Sequence, residues 1–167
     1  MCSSDLSNNG GNSSSVSSEL SFGVIAVYST SAALAALKSD GSVVTWGDAD
    51  YGGGSSVYNG ITETYTPVSS SLLSSGVVAI YSNSGAFAAL KSDGSVVTWG
   101  DAYYGGDSSV YTYNMFNGNE TFTSVASNLS AGVVSMYSTG SAFAALKYDG
   151  SVVTWGDSTQ GGESSRS

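Results

Sequence analysis

Apolar and polar positions alternate along this chain in short blocks separated by turn residues. The clearest block follows Gly76. Val77-Val78-Ala79-Ile80-Tyr81 is a β-branched and aromatic run suited to a strand. Ser82-Asn83-Ser84-Gly85 is turn chemistry. Phe87-Ala88-Ala89-Leu90-Lys91 is too short for a stable helix despite its alanines, and the flanking turns favour a second strand. Asp93-Gly94 then supplies a strong hairpin signal, because Gly accepts the positive φ of a tight turn. Val96-Val97-Thr98-Trp99 is the third strand, with Val97 and Trp99 on one face and Val96 and Thr98 on the other.

The block recurs. Ala35–Ala49 and Ala88–Ala102 both read AALKSDGSVVTWGDA, and Ala144–Ser158 reads AALKYDGSVVTWGDS. The tryptophans Trp46, Trp99 and Trp155 are therefore spaced by 53 and then 56 residues. A period of this length marks a repeat array such as a solenoid or a propeller. Between the blocks, Val57-Tyr58 and Ile61-Thr62 predict a small hairpin on Asn59-Gly60. Thr64–Val68 predicts an outer strand, and Pro67 places it at an edge. In the next connector the corresponding outer strand is Thr121–Val125.

The units run over about 16-68, 69-124 and 125-167, forming one repeat domain over 16-167 after a tail at 1-15. Gly10–Ser14 repeats the Gly-Gly-x-Ser-Ser exit found after each tryptophan, which predicts a slice of a longer array. The tail reads as disordered or artificial. Met1–Leu6 matches the translation of a sequencing-library adapter, and Arg166-Ser167 fits the start of its reverse partner. These ends predict a gene fragment called from environmental reads.

The segment Gly76–Gly106, GVVAIYSNSGAFAALKSDGSVVTWGDAYYGG, resembles the repeat of the regulator of chromosome condensation family. That repeat joins a Val-rich strand and a Gly turn to an Ala-Leu strand, then Asp-Gly, a Val strand, Trp-Gly and a Gly-rich exit. The likeness covers about Ser17 to Gly162. It implies an all-β chain of tandem four-stranded antiparallel blades, here a partial, open β-propeller. Family members usually close seven blades. Three units in about 150 residues also suit a β-trefoil. Gly85-Ala86, Ala32-Ala33 and Ser141-Ala142 stand where the family often has His before the second strand. Its nucleotide-exchange and chromatin-binding activities rest on loops outside the repeat core. The resemblance therefore implies a fold and no activity.

Charge narrows the choice of partner. Net charge is −9, from 13 acids against Lys38, Lys91, Lys147 and Arg166. Nucleic-acid binding needs basic residues to neutralise phosphates, so it is not expected. No apolar run approaches the roughly 20 residues that span a bilayer, so membrane insertion is not expected either. With one cysteine, Cys2, there is no intrachain disulfide to read. Only 10% of residues are charged, so Ser, Thr, Asn and Gly must dominate the surface. That composition favours an extracellular or cell-surface location.

The chain has no histidine and no phosphate-loop motif, so no catalytic residue, cofactor or enzyme activity is expected. Trp46, Trp99 and Trp155 read as structural core rather than stacking platforms. Asp48-Ala49-Asp50, Asp101 with Asp107, and Asp157 with Glu163 resemble fragments of calcium loops, but none supplies the six to eight oxygens calcium takes. They read as turn aspartates bonding their own backbone. Lys38, Lys91 and Lys147 occupy equivalent positions and read as a solvated end or an edge charge, against a shared anion site. Asn12, Asn119 and Asn128 lie in glycosylation sequons.

The possible interaction loop is the second connector, with Tyr103, Tyr104, Tyr111, Tyr113 and Phe116. The leading expectation is a non-catalytic β-propeller-type repeat module that binds a protein or a surface glycan. The alternatives are a structural extracellular or filament repeat protein and a β-trefoil-like glycan-binding lectin. Exposed terminal faces also predict self-association of the isolated fragment.

Overall fold

A computed structural model of the chain describes residues 10–163. The readings that concern Cys2, Arg166-Ser167 and most of the N-terminal tail lie outside the described residues. The chain is mostly β, in three separate sheets. The first contains β1 (Val24–Ser29), β2 (Ala33–Lys38) and β3 (Val43–Gly47) in that order. The second contains β4 (Ser56–Asn59), β5 (Thr64–Pro67), β6 (Val77–Ser82), β7 (Ala86–Lys91) and β8 (Val96–Asp101). Its order is β5-β4-β8-β7-β6. The third repeats that plan with β9 (Ser109–Tyr113), β10 (Glu120–Ser124), β11 (Val133–Ser138), β12 (Ala142–Lys147) and β13 (Val152–Asp157). Its order is β10-β9-β13-β12-β11. Three separate sheets differ from the single pooled barrel of a β-trefoil.

The hairpins form where Asp-Gly predicts them. Asp93 Oδ1 accepts bonds from Ser95 N at 2.9 Å and Ser95 Oγ at 2.6 Å, and Gly94 adopts φ +81°. Asp40 with Gly41 and Asp149 with Gly150 repeat this geometry. The Ser hydroxyl and N–H hold each of these carboxyls below its ordinary value.

The outer strands depart from the expected four-stranded antiparallel blade. The connector hairpin β4–β5 leaves the first unit and adds to the second sheet. There β4 runs parallel to β8 through two residue pairs, Val57 with Gly100 and Tyr58 with Asp101. β9 joins β13 in the same way. The second and third sheets therefore have five strands and the first has three. The sequence unit and the sheet are out of phase by one hairpin.

The hairpin turn also differs from the expected Asn-Gly reversal. Tyr58 pairs with Tyr65 across β4 and β5, so the turn spans residues 60–63. Asn59 Oδ1 accepts bonds from Ile61 N and Thr62 N, which draws those residues into the turn and out of a strand.

The sheets pack face to face. Period-two alternation gives each one a Trp face and an Ala face. Ala33, Ala35 and Leu37 of the first sheet pack against Phe87, Ala89, Val97 and Trp99 of the second. Ala86, Ala88 and Leu90 of the second pack against Phe143, Ala145 and Trp155 of the third. The alanines are small enough to admit the large rings of the neighbour. Phe87 stacks on Trp99 and Phe143 on Trp155, with centroids 5.2 and 5.3 Å apart. Trp99 and Trp155 are both fully buried.

Each tryptophan also reaches into the preceding unit. Trp99 Nε1 donates to Gly52 O at 3.1 Å, and Trp155 Nε1 to Gly105 O at 3.1 Å. Trp46 Nε1 donates to Gly10 O at 2.9 Å. Gly10 thus takes the place that an exit glycine holds in the other units. Val16 and Leu20 pack beside it on the Trp face of the first sheet. No helix of the described residues is long and apolar enough to cross a membrane.

Candidate functional site

With the tryptophans committed to the core, the surface aromatics that pack on one another lie on and beside the outer hairpins. On β4–β5, the rings of Tyr58 and Tyr65 face each other at 5.1 Å as a cross-strand pair. On β9–β10 the equivalent cross-strand pair is Tyr111 and Phe122, at 5.3 Å. Tyr103, on the 3-10 turn Ala102–Tyr104, completes a three-ring cluster at 4.7 Å from Tyr111 and 5.6 Å from Phe122. The two hairpins meet, because Tyr103 lies against Gly60. A Cβ placed on Gly60 would come within 2.4 Å of the Tyr103 ring. The result is a strip of half-exposed rings on two connectors, a pair and a three-ring cluster joined where Tyr103 meets Gly60.

Carboxylates edge this strip. Tyr65 OH donates to Asp50 Oδ1. Tyr103 OH donates to Glu120 Oε2 at 3.1 Å and Tyr111 OH to Glu120 Oε1 at 3.3 Å. The Asp50 bond and partial burial push the Tyr65 phenol up to about 12. Burial and the Glu120 charge push Tyr111 up to about 12. Asp101 sits below the strip, where burial raises its carboxyl to about 6 against the opposing bond from Tyr103 N. The strip therefore offers π faces in a negative field, a combination that attracts cationic groups.

The five aromatics of the possible interaction loop separate. Tyr103 and Tyr111 enter the strip. Tyr113 and Phe116 lie beyond it at the hairpin tip, with Phe116 fully exposed. Tyr104 turns inward. Its ring packs over Gly85 and on the core between the second and third sheets, and its carbonyl accepts a bond from Asn83 Nδ2 at 2.8 Å. Tyr58, Tyr65, Phe122, Asp50 and Glu120 were absent from the sequence-based site. The available signal was the i to i+7 spacing of Tyr58–Tyr65, which a hairpin with a four-residue turn brings into register.

The lysines do not converge. Lys38 Nζ donates to Glu19 O at 2.7 Å, Lys91 Nζ to Leu72 O at 2.8 Å and Lys147 Nζ to Asn128 O at 2.8 Å. Each ties its sheet to the helical turn 19 residues earlier, using a cation on carbonyls that such turns leave exposed. This replaces the readings of a solvated end, an edge charge and an anion site. Lys38 also lies 4.4 Å from the centroid of the Phe22 ring.

The turn aspartates bond their own backbone. Asp48 Oδ1 accepts from Asp50 N at 3.0 Å, Asp101 Oδ1 from Tyr103 N at 2.9 Å and Asp157 Oδ1 from Thr159 N at 2.8 Å. Among the described residues, no group of three or more His, Cys, Asp or Glu side chains is placed to hold a metal ion. The sequon residues Asn12, Asn119 and Asn128 are all exposed.

No family model matches the chain, and no curated protein matches it. Among solved structures it is similar to the crystal structure of human WBSCR16, at 21% identity and a TM-score of 0.50. The match covers 80% of this chain and 33% of that one. The chain thus spans about a third of the length of its solved neighbour, and at this identity the likeness is one of fold.

Proposed function

We propose that the chain is a non-catalytic interaction module whose three sheets are blades of an open β-propeller. The aromatic strip is its contact surface. The resemblance to the regulator of chromosome condensation repeat supports the blade reading, as does the likeness of fold to WBSCR16. One observation carries the functional reading. Two successive connectors gather Tyr58, Tyr65, Tyr103, Tyr111 and Phe122 on one outer surface, around Asp50 and Glu120. Rings that only stabilised one hairpin would not need Tyr103 of the second connector to lie against Gly60 of the first.

The partner is a protein segment carrying Lys or Arg. Its cations would lie on the ring faces, and the net charge of −9 would attract it from a distance. The test is a peptide array graded in charge and aromatic content, run beside a glycan array. Cationic peptides are expected to bind, more weakly as salt rises, with at least a tenfold loss in Tyr111→Ala. Glycan binding lost in the same variant would keep the strip and replace the partner class. Binding to neither array would overturn the interaction reading.

A further inference from the structure

The chain contains one packing interface twice and displays half of it at each end. Between the first and second sheets, Val77 N donates to Gly41 O at 3.0 Å and Ser31 N to Ser84 O at 3.0 Å. Between the second and third, Val133 N donates to Gly94 O at 2.9 Å and Ser84 N to Gly140 O at 3.0 Å. The tryptophan bonds to Gly52 and Gly105 complete the same set. The backbones also meet closely. A Cβ on Gly41 would lie 2.7 Å from Gly76 N, and one on Gly94 would lie 2.9 Å from Gly132 N.

At one end stands the Ala face of the third sheet. Its glycines Gly140, Gly150 and Gly161 hold the positions used at the internal interfaces, and a Cβ on Gly150 or Gly161 would meet nothing within 4 Å among the described residues. Ala142 is buried and Ala144 half-buried, but the apolar residues around them are uncovered. Tyr137 is 63% exposed and Val152 52%, whereas their counterparts Tyr81 and Val96 are half-buried between sheets. At the other end stands the Trp face of the first sheet. Val27 is 52% exposed there, whereas its counterparts Ile80 and Met136 are each 2% exposed. Val24 and Ser31 hold the backbone positions that Val77 and Ser84 use internally.

We propose that the Ala face of the third sheet docks on the Trp face of the first sheet of a second copy of this chain, head to tail. The occupant follows from continuity with the two internal interfaces. At the internal interfaces the surface packed on the Ala face bears a Trp, a Phe, a Val and an Ile or Met, and the first sheet carries Trp46, Val44 and Val27 at the matching positions with Leu34 in place of the Phe. Gly150 O would accept from Val24 N of the second copy, and Gly140 N would donate to its Ser31 O. Residues 10 and 11 stand where the Gly161 turn of the neighbour belongs, so docking displaces them from Trp46. Such a contact is heterologous and continues from copy to copy until the rotation closes or the filament grows.

Sedimentation of the 167-residue chain, 16.8 kDa, tests this. Wild type is expected to show mass rising with concentration. Val152→Asp and Val27→Asp alter exposed side chains on opposite faces, and each alone is expected to be a folded monomer by circular dichroism. An equimolar mixture of the two retains one intact pair of faces and is expected to stop at a dimer. Tyr111→Ala is expected to associate like wild type, which separates this inference from the strip. A wild type that stays monomeric at millimolar concentration overturns the proposal. So does a mixture of the two variants that fails to dimerise while wild type associates.

Discussion

Replacing Trp99 with alanine tests the stacked-sheet account most directly. The ring is fully buried, stacks on Phe87 at 5.2 Å and donates to a carbonyl of the preceding unit. Truncating a buried Trp costs about 3–5 kcal/mol through lost transfer energy and the cavity left behind. Trp99→Phe keeps most of the ring but leaves the buried Gly52 carbonyl without its donor, at a cost of about 1–3 kcal/mol. Trp46→Ala should cost less than Trp99→Ala, because Trp46 is 9% exposed and bonds Gly10 at the end of the described chain. The assay is urea unfolding followed by far-ultraviolet circular dichroism, since tryptophan fluorescence changes with the substitution itself. With a slope of about 2 kcal/mol per molar urea, Trp99→Ala should lower the midpoint by roughly 2 M. A midpoint within about 0.3 M of wild type, a loss under 1 kcal/mol, would refute the assignment of Trp99 as an inter-sheet anchor.

Two further outcomes follow from the turns and from Asp101. Gly94→Ala should destabilise more than Gly150→Ala: both have φ above +80°, but only Gly94 lies against a neighbouring backbone. Equal costs in the same urea assay would mean that the close approach contributes nothing. Burial raises Asp101 from 3.8 to about 6, so the folded chain holds this proton more tightly than the unfolded chain. The stability from this group is therefore present below about pH 4 and lost as pH rises toward about 6. Asp101→Asn keeps the acceptor for Tyr103 N and removes the charge, so its urea midpoint should gain on wild type across that window and exceed it at pH 7. A constant difference between the two proteins from pH 4 to 7 would contradict this.

The strand triplets were legible because their determinants are local. Asp93-Gly94 closes its own hairpin, and Val97 and Trp99 fall on one face by alternation, so β6, β7 and β8 end within two residues of their expected limits. The partner of the connector hairpin was not legible. β4 pairs with β8, about 40 residues later, through two residue pairs that leave no periodic mark. The lysines were misread for a related reason. Their carbonyl partners lie 19 residues upstream, and any residue supplies a carbonyl. In the strip, aromatic richness pointed to the second connector. The inward turn of Tyr104 depends on the bare backbone of Gly85 beside it, which only the packed sheets bring near. The Gly-Gly-x-Ser-Ser echo at Gly10 was visible in the sequence, and its use as the acceptor for Trp46 required the third dimension.

The loan of each outer hairpin to the next sheet has a mechanical consequence. A pull along the chain loads the connectors in series, and each connector grips the following sheet through only two parallel pairs. That grip should peel before any central hairpin does, since each of those has five pairs in register. Once detached, a short two-stranded hairpin is marginal in water and unravels. The twelve residues of 56–67 then extend by up to roughly 40 Å. Each connector thus behaves as a fuse with spare length, yielding under tension while the stacked tryptophan cores stay intact.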